Sequence, residues 1–280
     1  MYLSWDEMKK INDVQVEMLR DVTEACKKLN ICYYMVHGSL LGTVRNSKFV
    51  PGDDDIDIAF LRKDYETFIE KAPELLNKNY FIQANTTEER YPLEFAKLRD
   101  SRTTYVIESA RHLPMNHGVY IDIFPIDYVP ARGKISKKIF DLRLKLLKFR
   151  VRSVWNLPKN SFAKEIVSLI AKVYCPKVRT AVRRIDKMLI SDKESALLRV
   201  SGGKPKEQGI PKSWFETTEK GVFEGVEVWI PVGYSEYLTK IYGDYENRTL
   251  LENKEVNEEG VEINACIVDV SRPYTEYVKF

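Results

Sequence analysis

Two carboxylates alternate with two isoleucines in the segment DIDI, residues 55–58. Successive side chains of a strand point to opposite faces, so this spacing places Asp55 and Asp57 on one face and the isoleucines on the other. Two carboxylates held side by side repel each other, and a divalent cation relieves that repulsion. Mg²⁺ is commonly bound by one or two carboxylates together with the phosphates of a substrate. The spacing therefore predicts a site for a metal ion and a phosphorylated substrate.

A third acidic residue, Asp122, stands between two isoleucines in another apolar segment, GVYIDIFPID. A lone carboxylate in such a strand is costly unless it is paired or coordinates a metal. We therefore expect Asp55, Asp57 and Asp122 to bind one or two Mg²⁺ ions, which Mn²⁺ can replace. Asp53 and Asp54 precede the strand in a loop and are not predicted to be ligands. The alternative for an isolated D-x-D tripeptide is a solvated surface loop.

Groups suited to binding phosphate occur in two further segments. Gly38 and Ser39 follow a predicted strand and precede a short helix, whose N-terminus offers unpaired backbone N–H groups and the positive end of the helix dipole; Ser39 is the expected N-cap. Lys97 and Arg99 share one face of another predicted strand, where they can balance phosphate charge. Arg45, at the end of the short helix, is a further candidate. The alternatives are an ordinary turn and a solvated strand face.

Strands alternate with helices along the first 130 residues, which predicts an α+β fold with a mixed sheet and flanking helices. The predicted helices in this part are 6–29, 40–45 and 63–76, and the predicted strands are 31–37, 55–61, 92–99, 103–108 and 117–124. Further on we predict helices from residue 134 and over 161–174 and 176–190, a loop at 201–211, strands near 221–230 and a helix near 233–242. The predicted units are a catalytic core at 1–130, a basic helical subdomain at 131–200, and a C-terminal α/β segment at 201–280 that completes the domain.

Composition sets the class of protein. The chain has 280 residues, 44% of them hydrophobic and 30% charged, which is typical of a soluble globular protein. Four scattered cysteines without a C-x-x-C pair suit a reducing cytosol, and the three histidines lack the spacing of a zinc site. The first ten residues have no apolar signal-peptide core, and no apolar run has the length of a membrane span. We therefore expect a cytoplasmic protein.

The net charge of +3 conceals a strong asymmetry. Residues 132–187 contain 17 Lys and Arg against three acidic residues, whereas the remainder contains 27 against 38. Within this segment Ile135, Ile139, Leu142, Leu146 and Phe149 follow helical spacing. A basic amphipathic helix over 134–155 can lie on the anionic inner face of a membrane. The alternative is a helix packed on the catalytic domain with a solvated basic face; nucleic-acid binding is not expected, because no such motif occurs.

Four segments together resemble the LicD family of the nucleotidyltransferase superfamily, which includes the fukutin-related proteins. They are HGSLLGTVRNSKFVPGDDDIDIAF (37–60), FAKLRDSRTTY (95–105), GVYIDIFPID (118–127) and FEGVEVWIPVGYSEYLTKIYGDY (223–245). The resemblance covers about residues 33–245, and the combination is specific. Two departures leave the donor and acceptor open: Gly52 stands where the family often has Trp, and ENRTLLENK follows YGDY in place of a Pro-rich segment.

The resemblance implies a nucleotidyltransferase-like fold and transfer of a phospho-alcohol from a CDP-activated donor to a glycan hydroxyl. Phosphocholine from CDP-choline is the leading donor, with ribitol phosphate and glycerol phosphate as alternatives. The acceptor would be a precursor of teichoic acid, capsule or lipopolysaccharide, including lipid-linked forms.

Roles for individual residues follow from that resemblance. Asp55, Asp57 and Asp122 would bind Mg²⁺, Asp122 would also serve as general base with Asp127 as the weaker candidate, and the basic strand would offset charge on the departing CMP. Attack at the proximal phosphorus would transfer CMP instead, so a nucleotidyltransferase adding NMP to a small hydroxyl compound is the alternative enzyme. A degenerate nucleotide-binding module is the non-enzymatic alternative, which the intact carboxylates disfavour.

Overall fold

A computed structural model describes residues 1–130, 137–155, 162–203, 205–247 and 257–280. The helices in these residues are α1 (Trp5–Leu29), α2 (His37–Asn46), α3 (Arg62–Lys71), α4 (Lys137–Arg152), α5 (Phe162–Tyr174), α6 (Val178–Leu189) and α7 (Tyr234–Tyr242). The strands are β1 (Tyr2–Ser4), β2 (Tyr34–Met35), β3 (Asp57–Leu61), β4 (Tyr80–Gln83), β5 (Ala96–Asp100), β6 (Thr104–Ile107), β7 (Val119–Tyr128), β8 (Leu197–Val200), β9 (Gln208–Pro211), β10 (Thr218–Phe223), β11 (Val226–Pro231), β12 (Gly260–Glu262) and β13 (Ala265–Asp269).

The main sheet is mixed. Within the described residues it has seven strands in the order β2-β3-β7-β5-β4, with β8 paired to β7 and β9 paired to β8. Strands β3 and β7 run parallel, and the other neighbours run antiparallel. β3 occupies one edge of β7, while β5 and β8 share the other edge, β5 at residues 119–123 and β8 at 126–128. A mixed sheet with flanking helices confirms the predicted α+β class.

Helix α1 supports this sheet from one side. It begins in a capping box, in which the Ser4 hydroxyl accepts the backbone N–H of Glu7 and the Glu7 carboxylate accepts that of Ser4. Its buried apolar residues recur at helical spacing, as the sequence predicts, and include Met8, Ile11, Met18 and Val22. The helix contacts β7 and α3, so its apolar face closes the core behind the sheet.

The predicted start of the second helix was wrong. Helix α2 begins at His37, because the backbone N–H of Leu40 donates to the Val36 carbonyl at 3.0 Å and closes the first turn there. Ser39 therefore lies inside the first turn rather than at the N-cap. Its hydroxyl accepts the backbone N–H of Asp57 at 2.8 Å, so it ties the helix to the start of β3.

The predicted start of the strand at residue 55 was also wrong. Strand β3 starts at Asp57, and Asp55 lies just before it in an extended segment. The partner strand β2 is only two residues long, so the ladder on that side ends with the Val36 N–H donating to the Asp57 carbonyl at 3.2 Å. The isoleucines at 56 and 58 are fully buried, as the alternation predicts.

Three smaller pairings join distant parts of the chain. β1 pairs with β12, β6 pairs with β13, and β10 and β11 form a hairpin near the predicted strands at 221–230. The loop predicted at 201–211 was wrong for its last four residues, which form β9, because Ile210 is buried and pairs with Leu198. The boundaries of the three predicted units stay predictions.

The basic helix α4 packs against both α5 and α6. On α4, Ile139 and Leu142 are 55% and 60% exposed, whereas Leu147 is buried in a cluster with Cys175 and Ile185. This cluster lies on a different face of α4 from Ile139 and Leu142, because α4 meets α6 there. The beginning of the predicted helix at 134–136, including Ile135, lies outside the described residues.

Candidate active site

Three carboxylates converge at one place on the sheet. Asp57 and Asp122 are direct neighbours in the parallel register of β3 and β7, and Asp55 reaches the same point from the segment before β3. One oxygen of each of the three lies within 4.8 Å of those of the other two. Asp57 and Asp122 are buried and Asp55 is partly buried. The structure therefore brings together the three residues predicted to bind metal.

Burial and, after it, mutual repulsion disfavour the charged forms of these carboxylates. Burial and the neighbouring carboxylates, of which Asp57 is the strongest, raise the pKa of Asp55 well above its ordinary value. Burial also raises the pKa of Asp122 to about 6, although the Lys97 ammonium opposes that rise. The negative form of the cluster is therefore unfavourable without a further cation.

The donor set fits a hard divalent cation. Three carboxylate oxygens at mutual distances within 4.8 Å match the oxygen ligands that Mg²⁺ and Mn²⁺ prefer. A second group of oxygens, from Asp53, Asp54 and Asp55, meets the same distance limit. Asp54 also accepts a hydrogen bond from the Tyr105 hydroxyl, so it already has a protein partner. Asp55 belongs to both groups.

Lys97 is the cation built into the site. It stands opposite Asp122 in the antiparallel register of β5 and β7, and its ammonium donates to Asp122 Oδ1. The same ammonium lies 3.5 Å from the centre of the Tyr120 ring and 5.6 Å from that of Phe95. Lys97 thus binds one of the two oxygens of Asp122.

Gly38 and Ser39 position acidic residues. A Cβ atom on Gly38 would collide with the carboxylate of Asp53, so glycine at this position lets that side chain lie against the first turn of α2. Ser39 is buried, and its hydroxyl accepts the Asp57 backbone N–H. The structure therefore places both residues against the aspartate segment, where they hold its backbone and side chains beside α2.

His37 and Glu207 form a buried pair behind Asp57. His37 Nε2 donates to Glu207 Oε1 at 2.6 Å, and Nδ1 lies 3.4 Å from Asp57 Oδ2. Burial of the ring opposes protonation, but the carboxylates of Glu207 and Asp57 raise the pKa of His37 to about 10. Glu207 is fully buried and also accepts from the Tyr237 hydroxyl. This chain of contacts holds one oxygen of Asp57 in place.

Sequence reasoning missed both of these residues and one more. The spacing of the histidines argues only against a zinc site and gives His37 no other role. Glu207 lies 170 positions away, at the end of a short 3₁₀ helix in the segment predicted as a loop. Gln15 is fully buried on the apolar face of α1, where its amide donates to the carbonyls of Asp54 at 2.8 Å and Tyr120 at 3.1 Å. A polar residue at an apolar helical position is the signal that would have found Gln15.

Two other predicted residues, Arg99 and Asp127, bind partners outside the carboxylate cluster. The Arg99 guanidinium is buried beneath Tyr120 and donates to Gln83 Oε1 at 2.9 Å and to the Gly118 carbonyl at 2.6 Å. Arg45 is exposed in the last turn of α2. Asp127 is buried and bound through both oxygens by Arg62, at 2.6 and 2.8 Å.

Strand geometry separates Asp127 from Asp122. Side chains on one face of a strand are separated by an even number of positions. Asp122 and Asp127 are five positions apart, so they point to opposite faces of β7. Asp122 faces the carboxylate cluster, and Asp127 faces Arg62. Asp122 therefore remains the stronger candidate for general base.

Buried carboxylates that converge beside a buried lysine define a class of site, one that can bind a metal ion and a phosphate ester together. A family model described as "LicD/FKTN/FKRP, nucleotidyltransferase domain" matches residues 30–169 of this chain. The lipopolysaccharide cholinephosphotransferase LicD of Haemophilus influenzae is 30% identical over 227 residues, which cover 79% of this chain and 84% of the relative.

The chain belongs to the LicD family. The predicted family and the predicted enzyme class, a phosphotransferase, are thereby confirmed. An uncharacterized protein of Rickettsia typhi is 35% identical over 69 residues, covering 25% of this chain and 22% of that protein. Another from Rickettsia prowazekii is 40% identical over 48 residues, covering 17% of this chain and 18% of that protein.

Proposed function

We propose that this protein transfers phosphocholine from CDP-choline to a hydroxyl of a lipopolysaccharide-type glycan, with Mg²⁺ bound by Asp55, Asp57 and Asp122. The observation that carries the proposal is the convergence of these three carboxylates in a chain related along 79% of its length to a cholinephosphotransferase. A nucleotidyltransferase-like arrangement of the sheet and action in the cytoplasm belong to the same proposal.

The bound metal would neutralise the carboxylates and polarise the phosphate oxygens of the donor. The residues of the chain supply the rest. Ser39 and the His37–Glu207 pair fix the backbone and one oxygen of Asp57. Lys97 holds one oxygen of Asp122 and places a positive charge next to the cluster, where it can offset the charge on the departing CMP.

The transfer itself breaks one bond and forms another. The acceptor oxygen attacks the distal phosphorus of CDP-choline, the bond from that phosphorus to the bridging oxygen breaks, and CMP leaves with that oxygen. Asp122 receives the proton of the acceptor hydroxyl through the oxygen that Lys97 does not bind. The product is a phosphodiester between choline and the glycan.

A panel of donors tests this proposal. Release of CMP would be followed from CDP-choline, CDP-ribitol and CDP-glycerol with a lipopolysaccharide acceptor, in Mg²⁺ or in EDTA. We expect release from CDP-choline that requires both the acceptor and Mg²⁺. Faster release from either alditol donor, or equal release in EDTA, would contradict the proposal.

A matched pair of variants links the result to the site. Asp57→Asn removes one charge at the cluster and should lower CMP release by about 100-fold or more. Asp13→Asn is the control, because Asp13 is 63% exposed and pairs with Lys9 on the outer face of α1. Unchanged release by Asp57→Asn would exclude its proposed role.

A further inference from the structure

Helix α5 exposes an apolar stripe. Ile166, Leu169, Ile170 and Val173 are 45%, 63%, 50% and 77% exposed. Their spacing of three, one and three residues places them on one helix face. Ala171, on the opposite side, is fully buried. The helix therefore packs on the protein through one side and presents aliphatic side chains to solvent on the other.

The neighbouring helix α4 also exposes aliphatic side chains. It contacts α5, and its Ile139 and Leu142 are also more than half exposed. Single exposed aliphatic residues are normal in a folded protein, but six on two adjacent helices mark a surface that binds an apolar partner.

The charge around the stripe indicates which partner it fits. Helices α4, α5 and α6 carry 13 Lys and Arg residues against three acidic residues, and Lys145, Lys148 and Lys172 are among the exposed cations. A second copy of the same surface would bring like charges together, which is unfavourable. An anionic lipid bilayer offers negative headgroups for the cations and an acyl layer for the aliphatic side chains.

The length of α5 decides how it would lie. Its 13 residues extend about 20 Å, which is shorter than the roughly 30 Å hydrocarbon core of a bilayer. Among the described residues, no helix is both long enough and apolar enough to cross a membrane. A short helix with one exposed apolar face and basic surroundings is suited to lie in the plane of the membrane surface.

We propose that α5 binds the surface of an anionic membrane through Ile166, Leu169, Ile170 and Val173, with the cations of α4–α6 at the headgroups. The sequence places the membrane contact on the basic helix at 134–155. The structure shifts its centre to the apolar stripe of the next helix and gives α4 a flanking role. The inference does not depend on the reaction at the carboxylates.

Vesicle flotation of the full chain tests this inference. The vesicles are phosphatidylcholine alone, or phosphatidylcholine mixed with phosphatidylglycerol. The wild-type protein should float with the mixed vesicles at low salt and not with phosphatidylcholine alone. The double variant Leu169→Asn/Val173→Asn should lower its partition coefficient on mixed vesicles by at least about tenfold. Val222→Asn, a matched exchange at a 50% exposed position on β10, should leave it unchanged.

A charge variant tests the second part of the inference. Lys145→Gln/Lys148→Gln should lower the partition coefficient by about fivefold per lysine and weaken its dependence on salt. The proposal would be overturned if the wild type did not float with mixed vesicles, or if the apolar double variant floated equally well. It would also be overturned if the wild type bound no vesicles but formed a dimer in sedimentation that the apolar double variant does not form. Far-ultraviolet circular dichroism checks that each variant is folded.

Discussion

Replacing Asp55 with asparagine should make the metal-free protein more stable and abolish its response to Mg²⁺. Asp55 faces the carboxylates of Asp57 and Asp122 at distances within 4.8 Å. Burial and these neighbours raise its pKa, so the folded state either carries the repulsion or takes up a proton. An amide of the same shape removes both costs, and it removes one ligand of the proposed metal.

The gain in the free energy of unfolding of the metal-free protein can be bounded. Two unit charges 4.8 Å apart repel by about 3.5 kcal/mol at an effective dielectric constant of about 20. Taking up a proton at about pH 7.5 would cost Asp55 no more than about 5 kcal/mol, at 1.36 kcal/mol per pH unit above its ordinary value. Since Lys97 already offsets part of the repulsion, we expect a gain of about 2 kcal/mol, which is about 4 °C in Tm for a chain of this length.

Thermal unfolding of the wild type and Asp55→Asn, in EDTA and in Mg²⁺, measures both effects. The wild type should gain stability from Mg²⁺, because a ligand that binds only the folded state raises Tm. The variant should start higher and gain nothing. Asp100→Asn is the contrasting control: Asp100 is a buried carboxylate paired with Arg102 at 2.7 Å, so its loss should lower Tm. A variant no more stable than wild type in EDTA, or one that still responds to Mg²⁺, would refute this reasoning.

Two further substitutions probe the surroundings of the cluster, and a third probes Asp186, whose charged neighbours are Arg62, Glu94, Asp127 and Arg199. Glu207→Gln weakens the hold on His37 and should raise the Mg²⁺ concentration for half-maximal CMP release by about 10-fold, and an unchanged midpoint would argue against a positioning role. Lys97→Met removes the ammonium at Asp122 and should lower turnover by about 100-fold, measured as CMP release at saturating donor. Turnover equal to that of the wild type would exclude the proposed role of Lys97. Burial raises the pKa of Asp186 to about 7, so its carboxylate destabilises the fold progressively as pH rises from about 4 to 7. The free energy of unfolding of Asp186→Asn should therefore rise by about 2 kcal/mol relative to wild type between about pH 5 and pH 8. A difference in unfolding free energy that does not widen over this range would contradict the prediction.

The carboxylate cluster was predictable because its signals are local. Alternation with isoleucine assigns Asp55 and Asp57 to one face, and a buried strand around Asp122 requires a partner or a metal. The parallel pairing of β3 with β7, which places Asp57 beside Asp122, follows from no local pattern.

Other features depend on contacts between distant residues. Glu207 reaches His37 across 170 positions, from a short 3₁₀ helix in a segment whose composition predicts only a loop. The start of α2 is set by the Val36 carbonyl, and the Ser39 hydroxyl bonds to β3 instead of capping its own helix. Helical periodicity groups Ile139 with Leu142 but does not state which side of α4 meets its neighbours. Such choices are made by tertiary packing, which sequence spacing does not record.

The mass of the reaction product tests the central claim most directly. Purified protein, CDP-choline and a lipopolysaccharide acceptor would be incubated with Mg²⁺, with EDTA, or with Asp57→Asn in place of the wild type, and the acceptor would then be weighed by mass spectrometry. The account predicts an acceptor that gains phosphocholine only with wild-type protein and Mg²⁺. An acceptor that gains a cytidine nucleotide, or that gains phosphocholine equally in EDTA or with Asp57→Asn, would contradict it.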